Sequence, residues 1–233
     1  MTRGVGITES IRETLPEWAV ELFVVLALLG DWVVLVAVLG LLYLLEVGSN
    51  ARKARDATRP LCSDRTVFVI AVVFGGLALT LLLKALLEAP RPPEELHAVT
   101  PSEHGFPSGH TMVATVFWGA LAWWVIEGRR SVRRLGVVAV VAVVALSRLA
   151  LGVHFLVDVL ASVVFATLYL VAVAWTVEGR PAPTFGLAFG LALLAVVVSG
   201  GGTRETLALV GITLTVVGWQ LVESRPFRRL LSR

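Results

Sequence analysis

Long apolar runs, separated by short polar segments, fill most of this 233-residue chain. A helix needs about 20 mainly apolar residues to cross a bilayer, and several runs approach that length. The pattern predicts seven membrane spans, at residues 32–47, 67–87, 108–126, 135–149, 154–177, 184–199 and 205–222. We therefore expect an all-α fold: a polytopic transmembrane helical bundle of about six or seven spans.

The N-terminal segment has a different pattern. Over residues 8–29, apolar side chains recur at steps of three and four among acidic ones, which is typical of an amphipathic helix at the membrane interface. One tilted helix over 16–47 is the alternative, but that run is long for one span and short for two. We expect three parts: an interfacial segment at 1–30, a core at 31–177, and two further spans with a basic tail at 178–233.

Composition and charge support a membrane protein. The chain is 57% hydrophobic with a mean hydropathy of +0.84, which excludes an ordinary soluble domain. Its net charge of +3 is small, so we expect no nucleic-acid partner. The basic residues concentrate in segments 48–65, 127–134 and 178–183 and in the tail, which the positive-inside rule places in the cytoplasm. The segments 88–106, 150–153 and 200–204 then face outward across the cell membrane.

Three polar clusters fall at the outward ends of the predicted spans. They are Lys84 and Arg91; Ser108, Gly109 and His110; and Arg148, His154 and Asp158. Ionisable groups at membrane depth are costly, so they indicate a functional site. Three cations in one small volume repel one another unless an anion joins them, and the planar fork of arginine suits phosphate oxygens.

The second cluster predicts a helix start that binds phosphate. Ser108 is a favoured N-cap, and Gly109 allows a phosphate to approach free backbone amides closely. An ordinary cap would explain these two residues but not His110, which lies one turn inside an apolar helix.

The third cluster predicts the chemistry. His154 and Asp158 have i, i+4 spacing, so we expect them on one helix face, with the carboxylate orienting the imidazole as a nucleophile or base. A metal ligand with a supporting carboxylate is the alternative, but the neighbouring cations disfavour a metal. We therefore expect no metal and no other cofactor. The parts together indicate phosphoryl transfer, with His154 attacking phosphorus and His110 acting as the acid.

In spacing and order, the three clusters resemble the motifs of the type 2 phosphatidic acid phosphatase superfamily. The matching residues are Lys84 with Arg91-Pro92, Pro107-Ser108-Gly109-His110, and Ser147-Arg148 with His154 and Asp158. That family contains membrane lipid phosphate phosphatases, glucose-6-phosphatase-like enzymes and soluble vanadium haloperoxidases. The resemblance covers about residues 30–177 and implies a helical-bundle core with metal-independent hydrolysis. It also implies that Lys84, Arg91, Ser108, Gly109 and Arg148 bind phosphate, while His154, His110 and Asp158 act as nucleophile, acid and orienting partner.

The leading hypothesis is an integral-membrane phosphatase acting on a lipid phosphate or diphosphate in the outer leaflet. Phosphatidic acid, phosphatidylglycerol phosphate and polyprenyl diphosphates are the substrates considered. A transferase that passes a phospho group to another acceptor would use the same residues. A non-catalytic anion-binding membrane protein is the third hypothesis, although anion binding alone needs neither His110, His154 nor Asp158. The oligomeric state is not predicted.

Overall fold

A computed structural model of the chain describes residues 5–53, 60–102, 104–177 and 179–231. Within these ranges the chain forms ten α-helices and no strand. They are α1 (Val5–Thr14), α2 (Glu17–Ala27), α3 (Trp32–Lys53), α4 (Asp64–Leu87), α5 (Gly109–Ala120), α6 (Arg130–Ala150), α7 (Leu156–Thr176), α8 (Pro181–Val198), α9 (Thr203–Val222) and α10 (Arg225–Leu231). The predicted all-α bundle is confirmed.

A helix lies at each of the seven predicted spans. Five of them, α3, α4, α7, α8 and α9, are long and apolar enough to cross a membrane. The other two are α5, which a π-helical turn at Leu121–Val125 extends, and α6, which carries arginines at both ends. Helix α3, at the first predicted span, runs six residues past its predicted end at 47, to Lys53. Arg55 and Arg59 of the following basic loop lie outside the described residues.

Helix α4 forms the centre of the bundle, and most of its side chains are buried. The hydroxyl of Tyr169 in α7 donates a hydrogen bond to the carbonyl of Val72, at 2.9 Å. A Cβ at Gly76 would lie 2.8 Å from the side chain of Val116, so α4 and α5 approach each other closely. Helix α8 packs along α4, and Ile212 of α9 is fully buried in the same core. The two helices beyond residue 177 therefore belong to the bundle itself.

The N-terminal segment is two helices, which corrects the prediction of one helix over 8–29. Pro16 stands at the N-cap of α2, because proline has no N–H to continue α1. Both helices pack over α6. Thr8 is fully buried, and its hydroxyl donates to the carbonyl of His154 at 3.1 Å. The outer face keeps exposed apolar side chains, including Trp18 and Val25, as an amphipathic segment requires.

The two ends of the bundle differ in chemistry. At one end, the backbone N–H groups of Leu61 and Cys62 both donate to the Glu223 carboxylate at 2.9 Å, which joins the start of α4 to the end of α9. At the other end, segments 88–106 and 199–205 line one cavity together with Lys84. The three polar clusters lie at this second end.

Candidate active site

Six of the eight predicted site residues form one charged cluster. The positive charges of Arg91, Arg148 and Lys84 all act on the buried imidazole of His154, and so does His110. Asp158 is fully buried beside the same imidazole. Tertiary packing therefore joins the three sequence clusters into one site.

His154 and Asp158 are in contact, but not on one helix face as predicted. Helix α7 begins at Leu156, so His154 lies in the turn before it. The Asp158 carboxylate bends back over the helix start and accepts from the Phe155 backbone N–H at 2.9 Å. The same oxygen, Oδ2, lies 3.3 Å from His154 Nδ1. The contact therefore depends on helix capping and not on i, i+4 neighbours within a helix.

Arg91 lies across the other side of the imidazole. Its Nη1 donates to the Val153 carbonyl at 2.6 Å and lies 3.3 Å from His154 Nε2. Its Nη2 donates to the Ser102 hydroxyl at 2.9 Å, and its Nε donates to the Ser102 carbonyl. The loop after α4 therefore fixes the guanidinium beside His154.

The other two cations reach the site from helix ends. Lys84, in the last turn of α4, donates from Nζ to the His104 carbonyl at 2.7 Å. Arg148, near the end of α6, is only 7% exposed. Its buried Nε has no hydrogen-bond partner among the described residues. An arginine buried in this way needs an anionic partner, and phosphate oxygens fit its donors.

Burial and charge set the ionisation of two of these groups. The pKa of His154 is held well below its ordinary value, first by burial and then by the charges of Arg91 and Arg148. Burial also lowers the pKa of Arg91 to about 10. His154 is therefore a neutral imidazole beside positively charged donors, which suits a nucleophile facing an anionic phosphate.

Ser108 occupies the N-cap position of α5, as predicted, but its hydroxyl makes no capping bond. Its side chain is fully buried and lies 3.0 Å from the Thr111 hydroxyl. Its backbone N–H donates to the Asp158 carbonyl at 3.3 Å. A Cβ at Gly109 would lie 3.7 Å from Lys84 Cε, an ordinary contact. Ser108 therefore joins α5 to α7 in this structure.

One residue at the site escaped the sequence prediction. Asp31, between a 3-10 turn and α3, places Oδ2 at 3.7 Å from His110 Nε2. In the sequence, Gly30-Asp31 indicates only an interruption between two apolar segments. Asp31 is far from the three clusters in the sequence, so no local pattern indicates its contact with His110.

The described residues contain no group of three or more His, Cys, Asp or Glu side chains arranged to hold a metal ion.

Comparisons with known proteins match the part of the chain that contains the three polar clusters. A sequence profile of the family described as the PAP2 superfamily matches residues 65–182. Among solved structures, the chain is similar to "the first transmembrane PAP2 type phosphatidylglycerolphosphate phosphatase from Bacillus subtilis", with a TM-score of 0.61 and 22% sequence identity. The alignment covers 75% of this chain and 84% of that one. No curated protein matches the chain.

Proposed function

Because the chain belongs to the PAP2 superfamily, we propose that it is a metal-independent phosphatase that hydrolyses a lipid phosphate or diphosphate. The observation that carries the proposal is the cluster of three cations around a buried, neutral histidine. Arg148 contributes a donor with no partner among the described residues, and Arg91 lies against the nitrogen that would attack phosphorus. A phosphate placed there would meet donors and nucleophile together.

The proposed reaction has two steps. In the first, His154 Nε2 forms a bond to phosphorus while the bond from phosphorus to the lipid oxygen breaks, and His110 gives that oxygen a proton. In the second, water attacks the phosphohistidine and gives its proton to His110. The N–P bond then breaks, inorganic phosphate leaves, and both histidines return to their starting states. Lys84, Arg91 and Arg148 stabilise the charge on the equatorial oxygens throughout.

The substrate is proposed to enter from the outer leaflet of the cell membrane. Positive charge concentrates at the end of the bundle opposite the site, which favours a cytoplasmic position for that end and for the C-terminus. Exposed apolar side chains, including Leu160, Leu168 and Trp175 of α7, cover the sides of the bundle, where lipid tails would lie.

The test is phosphate release by purified protein from a panel of phosphatidic acid, phosphatidylglycerol phosphate and a polyprenyl diphosphate. We expect release in the presence of a chelator and inhibition by vanadate, which mimics the five-coordinate phosphorus. His154→Ala should lower kcat by about 10³-fold or more, because it removes the group that bonds to phosphorus. His97→Ala is the matched control, since His97 lies in segment 88–106 at the same end of the bundle and does not join the charged cluster.

Three outcomes would contradict parts of this proposal. Equal rates for His154→Ala and wild type would exclude His154 as the nucleophile. Loss of activity in chelator, restored by a divalent metal, would revive a metal mechanism. Lipid conversion without phosphate release would indicate a transferase, which the addition of an alcohol acceptor would then identify by its phosphorylated product.

A further inference from the structure

Asp31 makes a contact at the active site that the family motifs do not contain. Its Oδ1 accepts from the backbone N–H groups of Val33 and Val34, at 2.9 and 3.2 Å, and so caps the start of α3. Its Oδ2 lies 3.7 Å from His110 Nε2. One carboxylate therefore holds a helix start and faces the predicted acid.

Close packing holds the turn of Asp31 against α5. A Cβ at Gly30 would lie 2.6 Å from the His110 carbonyl oxygen and 2.7 Å from Val144 Cγ1, so only glycine fits there. Trp118, also in α5, donates from Nε1 to the Leu29 carbonyl at 2.9 Å. The position of Asp31 relative to His110 is therefore specified by tertiary contacts with α5 and α6.

We infer that Asp31 is a positioning residue for His110, an inference that rests on the proposed function. Arg148 of α6, Lys84 of α4 and Arg91 of the following loop all place positive charge near His110. Asp31 supplies the opposite charge. A separation of 3.7 Å is an ion-pair distance and not a hydrogen bond, so the imidazole stays free to reach the departing oxygen.

The test is the pH profile of kcat/KM for Asp31→Asn. Asparagine keeps an oxygen that caps α3, so the variant changes charge with little change in shape. We expect the basic limb of the profile to move to lower pH by roughly one unit, because the proton on His110 loses its carboxylate partner. At a pH above the basic limbs of both proteins, kcat/KM of Asp31→Asn should then be about tenfold lower than that of wild type.

A double variant separates positioning from a structural role. Adding Asp31→Asn to His110→Asn should cause little further loss, because the partner through which Asp31 acts is gone. A basic limb that does not move in Asp31→Asn, or a full additional loss in the double variant, would overturn the inference. If wild type released no phosphate at all, the proposed function would fail first, and phosphate release is measured before the variants for that reason.

A second and independent observation is a cavity of about 690 Å³ beside the site. Lys84, Ser102 and His104 form the wall next to the charged cluster, and Thr203 and Arg204 form the wall at the turn between α8 and α9. That turn lies beyond the part of the chain that the family profile matches. The C-terminal helix pair thus contributes a cation to the end of the bundle that holds the site.

The guanidinium of Arg204 is available for binding. It is exposed and forms no ion pair within 4.0 Å in the described part of the chain. Of the two carboxylates that line the cavity, Glu205 folds back against Gly202, where it occupies the space of a Cβ, and Glu88 is exposed. The charge of Arg204 also acts on Arg91, whose pKa is lowered mainly by burial. Arg204 is thus close enough to influence the phosphate site without joining it.

The geometry points to a subsite for a second phosphate of the substrate, bound by Arg204 across the cavity from Lys84. This deepens the proposed function, on which it rests. Two lipid classes share that chemistry: a diphosphate, and a lipid with one phosphodiester and one terminal phosphate. Phosphatidic acid has a single phosphate and would leave the subsite without an anion.

The test compares kcat/KM for Arg204→Gln on three lipids: a polyprenyl diphosphate, phosphatidylglycerol phosphate and phosphatidic acid. For each two-phosphate lipid, we expect the ratio of its kcat/KM to that of phosphatidic acid to fall about tenfold in Arg204→Gln. That is the scale of one lost hydrogen bond to a charged group. A ratio that falls for only one of the two lipids would assign the second phosphate to that lipid class. Arg225→Gln, at the opposite end of α9 and about 30 Å away, removes the same charge and should leave both ratios unchanged.

Two results would overturn the subsite. Equal losses on all three lipids would show that Arg204 acts only on the common phosphate or on general attraction of anions. An unchanged kcat/KM on all three lipids in Arg204→Gln would show that the cavity binds no second phosphate. Either result requires an active wild type, so both differ from failure of the proposed function itself.

Discussion

Arg91 Nη1 lies 3.3 Å from His154 Nε2, and this contact determines which nitrogen of His154 is unprotonated. A guanidinium only donates hydrogen bonds, so Nε2 must accept. The proton of the neutral imidazole then lies on Nδ1, which faces Asp158 Oδ2 at 3.3 Å. Nε2 is thereby left as the nucleophilic atom, directed towards the cations that would hold phosphate.

Asp158→Asn should reduce kcat strongly without abolishing activity. An amide can present its NH₂ group to Nδ1, which favours the tautomer with the proton on Nε2 and removes the attacking lone pair. We expect a loss of up to about 10⁴-fold, with KM changed much less, because phosphate binding relies on the cations. Steady-state kinetics measures both values. A variant as fast as wild type would show that Asp158 does not orient His154.

The activity should persist at acid pH. Burial and neighbouring cations hold the pKa of His154 well below its ordinary value, and the reaction needs the neutral imidazole. As the pH falls, His154 therefore remains neutral below the ordinary histidine range, and the acid limb of kcat/KM should lie below about pH 6.5. A limb at or above that pH would contradict a buried, neutral nucleophile.

The ionisation of the substrate must be separated from that of the enzyme in this measurement. A phosphate monoester dianion takes up a proton near pH 6 and becomes a monoanion. Two phosphate esters of different acidity resolve the ambiguity, because a limb caused by the substrate moves with the ester and a limb caused by His154 does not.

Gly152→Ala should destabilise the protein and impair the site. Gly152 has a φ of +71°, a left-handed conformation that costs a residue with a Cβ. That Cβ would also collide with the Leu96 carbonyl oxygen. The turn leads directly to His154, so we expect a loss of about 1–3 kcal/mol in unfolding free energy together with a lower kcat. Gly186→Ala is the control, since a Cβ there meets nothing within 4 Å. Thermal unfolding and phosphate release, measured in parallel, check the prediction.

Thiol labelling should report the proposed orientation. Glu95 and Glu127 are both exposed and lie at opposite ends of the bundle. In intact cells, a membrane-impermeant reagent should label Glu95→Cys and not Glu127→Cys. Native Cys62 is buried, and burial raises the pKa of its thiol, so it should stay unlabelled in the folded protein. Labelling of Glu127→Cys alone would reverse the proposed topology.

Much of the fold follows from hydrophobic pattern, because a bilayer requires each spanning helix to be long and apolar. The seven predicted spans correspond to helices, and their ends differ from the predicted ones by a few residues. The errors in the prediction lie at helix boundaries, which depend on the conformation of the backbone. Pro16 divides the predicted N-terminal helix, and α7 starts at Leu156, so that His154 precedes the helix instead of lying within it. Local hydrogen bonds set such boundaries, and apolar periodicity does not reveal them.

The sequence by itself determined which residue types the site contains, because ionisable groups at membrane depth are costly and indicate a functional site. It also determined their order, from which the family could be identified. Only the tertiary structure decided which residues are neighbours. Asp31 faces His110, Arg204 lines a cavity with Lys84, and Asp158 contacts His154 across the start of α7. Contacts between residues far apart in the chain arise from helix packing, which depends on the whole set of buried side chains and not on any local pattern.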